Sequence, residues 1–312
     1  MRGWWQDLTD LVLPAECGGC GRPRTVLCPE CRAVLSGTAP SRVRPVPEPP
    51  GLPVVHAAAR YADEVRATLL AHKERGALAL AAPLGTALAG AVQAGLSEAA
   101  AGPAAAGGGM PVLLVPVPSA RAAVRARGHD PVRRIALAAA GELRRTGTAA
   151  RVLAVLRQRR AVADQSGLNS RQRLDNLAGA LAVTPGGDRL LRGGSIVLVD
   201  DLMTTGASLA EAARAVRAAT EPEGRTGAHG RRGQRAVGQR QFSGLDSYDE
   251  ATTAVYTAAA REGTGERIAG SADGSPGRMH SVPGMVGAGG TGDVICAAVV
   301  AAPPDSFGIN RN

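Results

Sequence analysis

The sequence predicts an α/β protein built on a mostly parallel sheet with flanking helices, preceded by a small cysteine-based metal module. Three observations carry that expectation. Ile196 to Val199 is an unbroken β-branched and aliphatic run, which suits a strand covered on both faces. Val112 to Val117 is a second such run, and each is followed within a few residues by sequence of helical character. Near the N-terminus, Cys17-Gly-Gly-Cys20 is followed after seven residues by Cys28-Pro-Glu-Cys31.

The chain of 312 residues can hold one sizeable core plus a small module, or two ordinary domains. Aromatic residues make up only 2% while glycine alone counts 41, so the core must be built from Ala, Val and Leu and its helices should pack closely. The formal net charge is +9, carried by arginine because Lys73 is the only lysine. The excess is local: between Val117 and Arg173 there are thirteen arginines against Asp130, Glu142 and Asp164. Arginine clusters grip pyrophosphate, nucleotides or a nucleic-acid backbone through planar, multi-donor contacts, and a solvated basic face is the plainer alternative. No run of about 18 residues reads as a membrane span. The first residues carry Asp7 and Asp10 and make a poor export signal, so the expected location is cytoplasmic and the clustered cysteines are expected to be metal ligands rather than disulfides.

In chain order, Trp4, Trp5, Leu8, Leu11 and Val12 recur at nearly helical spacing, predicting a short amphipathic helix over 3–13 that packs on the module or binds a partner. Residues 1–37 form the module. Its two cysteine knuckles offer the four thiolates of Cys17, Cys20, Cys28 and Cys31, the tetrahedral set that structural zinc prefers, with an iron centre or redox pairs as lesser alternatives. The Pro-rich stretch 38–53 reads as a linker. A main domain is expected over 54–218: a strand at Val54 to Tyr61, a helix at Asp63 to Ala71 with its exit at His72-Lys73-Glu74-Arg75-Gly76, and a helix at Leu78 to Leu96. An Ala/Gly loop over 97–110 precedes the strand Val112 to Val117. That strand leaves through Pro118 and Ser119 toward Arg121, Arg125, Arg127 and Gly128. His129 is either an acid or base, or part of a capping turn before the helix Pro131 to Leu143. A strand is expected at Arg151 to Leu156. Residues 219–292 hold as many acids as arginines and little apolar character, which predicts a largely disordered insertion with an isolated helix at Ser247 to Arg261. The strand Val294 to Ala301 completes the domain, with Cys296 a buried thiol.

The stretch with the most chemistry is Ser195 to Leu209. Asp200 and Asp201 end its strand at the carboxyl edge, where open α/β sheets bind ligands. Thr204, Thr205 and Gly206 then lead through Ala207 and Ser208 into the helix Ala207 to Ala218. Its first N–H groups lack intrahelical partners and favour a phosphate, while two adjacent carboxylates accept from neighbouring ribose hydroxyls. One strand end can thus read ribose-5-phosphate. The missing Gly-Lys-Ser/Thr end excludes a Walker loop.

Val199-Asp200-Asp201-Leu202-Met203-Thr204-Thr205-Gly206-Ala207-Ser208 resembles the phosphoribosyl-pyrophosphate (PRPP) loop of type I phosphoribosyltransferases. With the cysteine pairs, Lys73, the Val-Pro-Val-Pro to Arg127-Gly128 exit, and Gln165, Leu168, Arg173 and Asn176, the chain is similar to the ComF family, which joins a zinc module to such a domain. The resemblance implies a type I phosphoribosyltransferase fold. It also implies PRPP bound with Mg²⁺, Asp200 and Asp201 on the ribose, Thr204 to Ser208 on the 5-phosphate, and Pro118, Ser119, Arg121, Arg127 and Gly128 in a pyrophosphate loop. Gln165, Leu168, Arg173 and Asn176 would belong to a hood over the ligand, and Lys73 would either touch a phosphate or be a solvated helix end. His129-Asp130 departs from the family's aromatic-Asn pair. Two functions follow: a pentosyl glycosyltransferase acting on a nitrogen nucleophile, or a non-catalytic competence factor that binds single-stranded DNA beside a helicase-like partner during DNA uptake. A third reading is an inactive relic whose insertion breaks the sheet.

Overall fold

The computed structural model describes residues 16–101, 110–160, 170–221 and 294–308. In chain order these form α1 (Pro29–Ser36), β1 (Ser41–Val43), β2 (Val55–Arg60), α2 (Asp63–Glu74), a 3-10 turn (Leu78–Leu80), α3 (Ala81–Ala100), β3 (Val112–Pro116), α4 (Arg121–Arg127) and α5 (Pro131–Arg145). There follow β4 (Ala150–Val152), β5 (Leu156–Gln158), α6 (Ser170–Leu177), β6 (Leu181–Val183), α7 (Gly187–Leu191), β7 (Ser195–Leu202), α8 (Ala207–Thr220) and β8 (Val294–Ala302). The helix expected over 3–13, Gln165 and Leu168, and the stretch 222–293 lie outside the described residues.

Six strands make one sheet in the order β1-β2-β8-β7-β3-β4. All its pairings are parallel except that of β1 with β2. The aliphatic runs are the middle of it, with Ile196, Val197, Leu198 and Val199 all fully buried. Alternate residues feed the two faces, as strand periodicity requires. Val197, Val199 and Ala298 pack with Leu84, Leu88, Ile135 and Ala139, whereas Ile196, Leu198 and Val299 pack with Leu209, Ala213 and Val216. The alanine-rich composition shows in the spacing of α3 against α5: a methyl group on Gly85 would lie 2.4 Å from the Ala138 Cβ and 2.8 Å from the Ala139 nitrogen. Larger side chains could not sit at that crossing. By length and composition alone the stretch Leu78–Ala100 could cross a membrane, yet 61% of its most apolar window is buried within this fold.

Several boundaries differ from expectation. The Pro-rich stretch 38–53 is no plain linker: Ser41–Val43 pairs with β2 as an edge strand, and Val43 and Pro45 are buried. An edge strand needs only one neighbour, which Pro-rich flanks tolerate. The strand expected at Arg151 to Leu156 is split. β4 joins the main sheet, while β5 turns away to pair antiparallel with β6. Helix α2 runs to Glu74 rather than Ala71, stopping just before Gly76 at φ 67°, so His72 and Lys73 stand in its last turn. Strand β6 and helix α7 were not foreseen. The module is continuous with the domain, since Cys17, Cys28, Cys31 and Leu35 belong to the same buried cluster as Leu80, Leu84 and Val65. The long insertion does not break the sheet, because β8 is paired with β2 on one side and β7 on the other.

Candidate functional site

The four N-terminal cysteine sulfurs all lie within 4.8 Å of one another. A tetrahedral zinc with Zn–S bonds of about 2.3 Å would space its sulfurs about 3.8 Å apart, and Cys20 Sγ and Cys28 Sγ are 3.6 Å apart. The donor set therefore fits the metal, and it offers no open position. The Cys28 N–H donates to Cys17 Sγ at 3.3 Å and the Cys31 N–H to Cys28 Sγ at 3.5 Å. Burial works against the Cys17 thiolate, but N–H groups of Cys28, Cys20 and Gly19 bring the thiol down to about 6. The four sulfurs can therefore hold a metal ion such as zinc.

The second site is assembled at the carboxyl edge of the sheet. Because side chains alternate along β7, Asp201 shares the face of Val197 and Val199, toward α2. There the Lys73 Nζ stands 2.9 Å from Asp201 Oδ2, and Asp201 is only 5% exposed. Burial pulls the Lys73 ammonium down, but the charge and hydrogen bond of Asp201 outweigh it and the net direction is up. Asp200, half-buried, is pushed well above the usual carboxylate range by its burial and then by the charge of Asp201. Its Oδ1 accepts from the Asp201 N–H at 2.9 Å, which stiffens the strand end.

Past Thr204 and Thr205 the chain turns at Gly206, whose φ of 75° is left-handed and caps α8. A Cβ there would also meet the Leu52 side chain at 3.1 Å. Two requirements thus converge on glycine. Ala207 is buried and Ser208 half-buried in the first turn, with Thr204 exposed and Thr205 half-buried before it. No carbonyl among the described residues accepts from the N–H groups of Gly206, Ala207 or Ser208.

Facing this edge is the exit of β3. Arg121 to Arg127, expected as part of a loop, forms the short helix α4, so its later N–H groups are used internally; Gly128 ends it at φ 73°. Pro118 and Ser119 are half-buried and Arg121 is exposed. Arg127 Nε is 3.2 Å from Glu74 Oε2, while its Nη1 is buried with no partner among the described residues. His129 binds α2 to this exit. Its Nδ1 is 3.1 Å from the Arg127 carbonyl and its Nε2 3.3 Å from the His72 carbonyl. Asp130 is the expected cap, accepting from the Arg133 N–H at 3.1 Å. His72, buried beneath it with ring centroids 5.8 Å apart, is lowered from its usual value by desolvation.

Of the hood residues, Arg173 and Asn176 lie on α6, where Leu174 and Leu177 pack against Ala207 at the start of α8. The Arg173 Nε is buried and unpartnered among the described residues, and Arg160 donates to the Asn176 carbonyl at 2.8 Å. Sequence reasoning missed Glu211. Buried on α8, it accepts from the Leu181 N–H at 2.9 Å and from Arg214 Nε at 2.7 Å, fastening β6 to α8. The Glu211 and Arg214 spacing of i,i+3 was the available signal. Two surface cavities, of about 230 Å³ beside Thr86 and Glu142 and about 660 Å³ beside Arg189 and Arg192, lie elsewhere.

Comparison of the chain with models of protein families and with curated proteins finds no match.

Proposed function

We propose that the carboxyl edge of this sheet binds PRPP with Mg²⁺, and that the chain is a ComF-like phosphoribosyltransferase-domain protein of the cytoplasm with a type I fold. The observation that carries this reading is convergence: an acid pair, the Lys73 ammonium at 2.9 Å from one of those acids, a buried unpartnered Arg127 nitrogen and the bare first turn of α8 surround one strand end. A ligand with vicinal hydroxyls between two phosphate groups matches every part. Asp200 and Asp201 accept from the ribose hydroxyls, the N–H groups of 206–208 hold the 5-phosphate, and Lys73 exchanges Asp201 for a phosphate oxygen. Arg127 takes pyrophosphate as its bond to C1 breaks, charge-assisted contacts being worth about 1.5 to 3 kcal/mol each. A nitrogen nucleophile then attacks C1 and loses its proton. Calorimetry should detect Mg²⁺-dependent PRPP binding that the double variant Asp200→Ala, Asp201→Ala loses; unchanged binding in that variant would refute the site.

A second reading, a non-catalytic competence factor on single-stranded DNA, draws on Arg121, Arg125, Arg133 and Arg134, which are exposed and make no ion pair among the described residues. Steep salt dependence of oligonucleotide binding supports it, and no binding at low salt removes it.

A further inference from the structure

At the opposite, amino-terminal edge of the sheet, a second group of reactive side chains is closed over by α3. Cys296 lies two residues before Ala298, the register partner of His56 on the neighbouring strand, so both side chains project to the same face. A methyl group on Gly95 would stand 2.7 Å from Cys296 Sγ and 3.2 Å from His56 Nδ1. Thiol and imidazole nitrogen therefore abut the same residue of α3, which only a glycine can be. Cys296 is 1% and His56 3% exposed.

The tautomer of this imidazole follows from its neighbours. His56 Nε2 is 2.8 Å from Glu98 Oε2, and the other carboxylate oxygen takes Arg42 Nη1 at 2.8 Å. An ionised carboxylate only accepts, so Nε2 donates to it, and in the neutral imidazole Nδ1 then presents a lone pair. That Nδ1 is buried with no hydrogen-bond partner among the described residues, an arrangement that is ordinarily unfavourable. An imidazole whose far N–H is held by a carboxylate while its near nitrogen is buried, unpaired and packed at the same glycine as a thiol sulfur has the second-shell pattern of a metal ligand.

We propose that Cys296 and His56 form a two-donor site for a soft, thiophilic cation, monovalent copper, with Glu98 and Arg42 orienting the imidazole. Thiolate and imidazole donors suit copper. Zinc would require four ligands, and the surrounding cluster of Ala58, Val92 and Ala298 supplies no further donors. Burial, helped by the Glu98 charge, pushes the Cys296 thiol up to about 12, so at neutral pH it is no free nucleophile; a bound cation displaces its proton instead. The site shares no ligand with the four N-terminal cysteines and is independent of PRPP binding.

The test uses the zinc-loaded full chain titrated anaerobically with Cu⁺ against a chromophoric Cu⁺ chelator. The expected result is one equivalent of Cu⁺ taken up without zinc release, with one sulfur and one nitrogen neighbour in the X-ray absorption spectrum. Cys296→Ala and His56→Gln should lose that equivalent while retaining zinc, and Glu98→Gln should weaken it by about 10- to 100-fold. Cys296→Ser replaces the alanine variant if that one fails to hold zinc. Uptake that persists in the Cys296 and His56 variants, or copper that enters only by displacing zinc, overturns the proposal.

Discussion

The two ends of helix α2 meet sites of opposite construction. At its start, Glu64 lies beside Gly19 of the cysteine module, whose four ligands come from fifteen consecutive residues and hold one another through local N–H to sulfur contacts. At its end, Lys73 meets Asp201, 128 residues away in the chain. The sulfurs of the first site, all within 4.8 Å of one another, come from a single local segment able to close around a metal ion. The second exists only when the whole sheet is assembled, and its stability is set by how well one half-buried amine compensates a buried acid.

The sharpest way to break this contrast is through the metal. Cys28→Ser should abolish zinc uptake and, because structural zinc contributes about 10 to 16 kcal/mol in small modules, lower the thermal midpoint by about 10 °C or more, read by calorimetry with and without chelator. A midpoint unchanged by chelation would mean that the shared core around Leu35 and Leu80 holds the segment unaided. A smaller effect is expected at the other end of α2. Lys73→Met leaves Asp201 buried and unpaired, costing about 2 kcal/mol in urea unfolding, and Asp201→Asn in the same chain should recover most of it. Additive losses would show that the pair is not coupled.

The smallest effect concerns Asp200. Its folded value is raised by burial and by Asp201, so between the ordinary value near 3.8 and the raised one the folded state binds more protons than the unfolded. Stability contributed by this group should therefore fall as pH rises through that window. Asp200→Asn should remove this component and stabilise the protein at neutral pH by about 1 kcal/mol. An unaltered pH profile in the variant would defeat the assignment.

Legibility in the sequence follows the same division. The cysteine pairs, the β-branched run before Asp200, the Gly206 turn and the Asp130 cap are local patterns, and each is found where its spacing implied. Lys73 could be placed near a helix end but its partner could not, because only the packing of α2 across the sheet decides which acid it reaches. The same holds for His129, whose two carbonyl contacts belong to different segments. The splitting of the strand near Val155 was hidden because β4 and β5 read as one apolar run, and only the pairing of each with a different neighbour separates them. Edge strand β1 was obscured by the prolines around it.

The placement of β8 bears on how the molecule comes together during synthesis. Among the described residues this strand is the last of the sheet to leave the ribosome and the sole bridge between β1-β2 on one side and β7-β3-β4 on the other. Until it arrives, β2 and β7 each present a row of unpaired backbone groups, because the long stretch of chain between β7 and β8 is still to be completed. The nascent protein thus passes through an interval as two half-sheets with sticky margins, and it is the aliphatic Ala297 to Val300 segment that seals both at once.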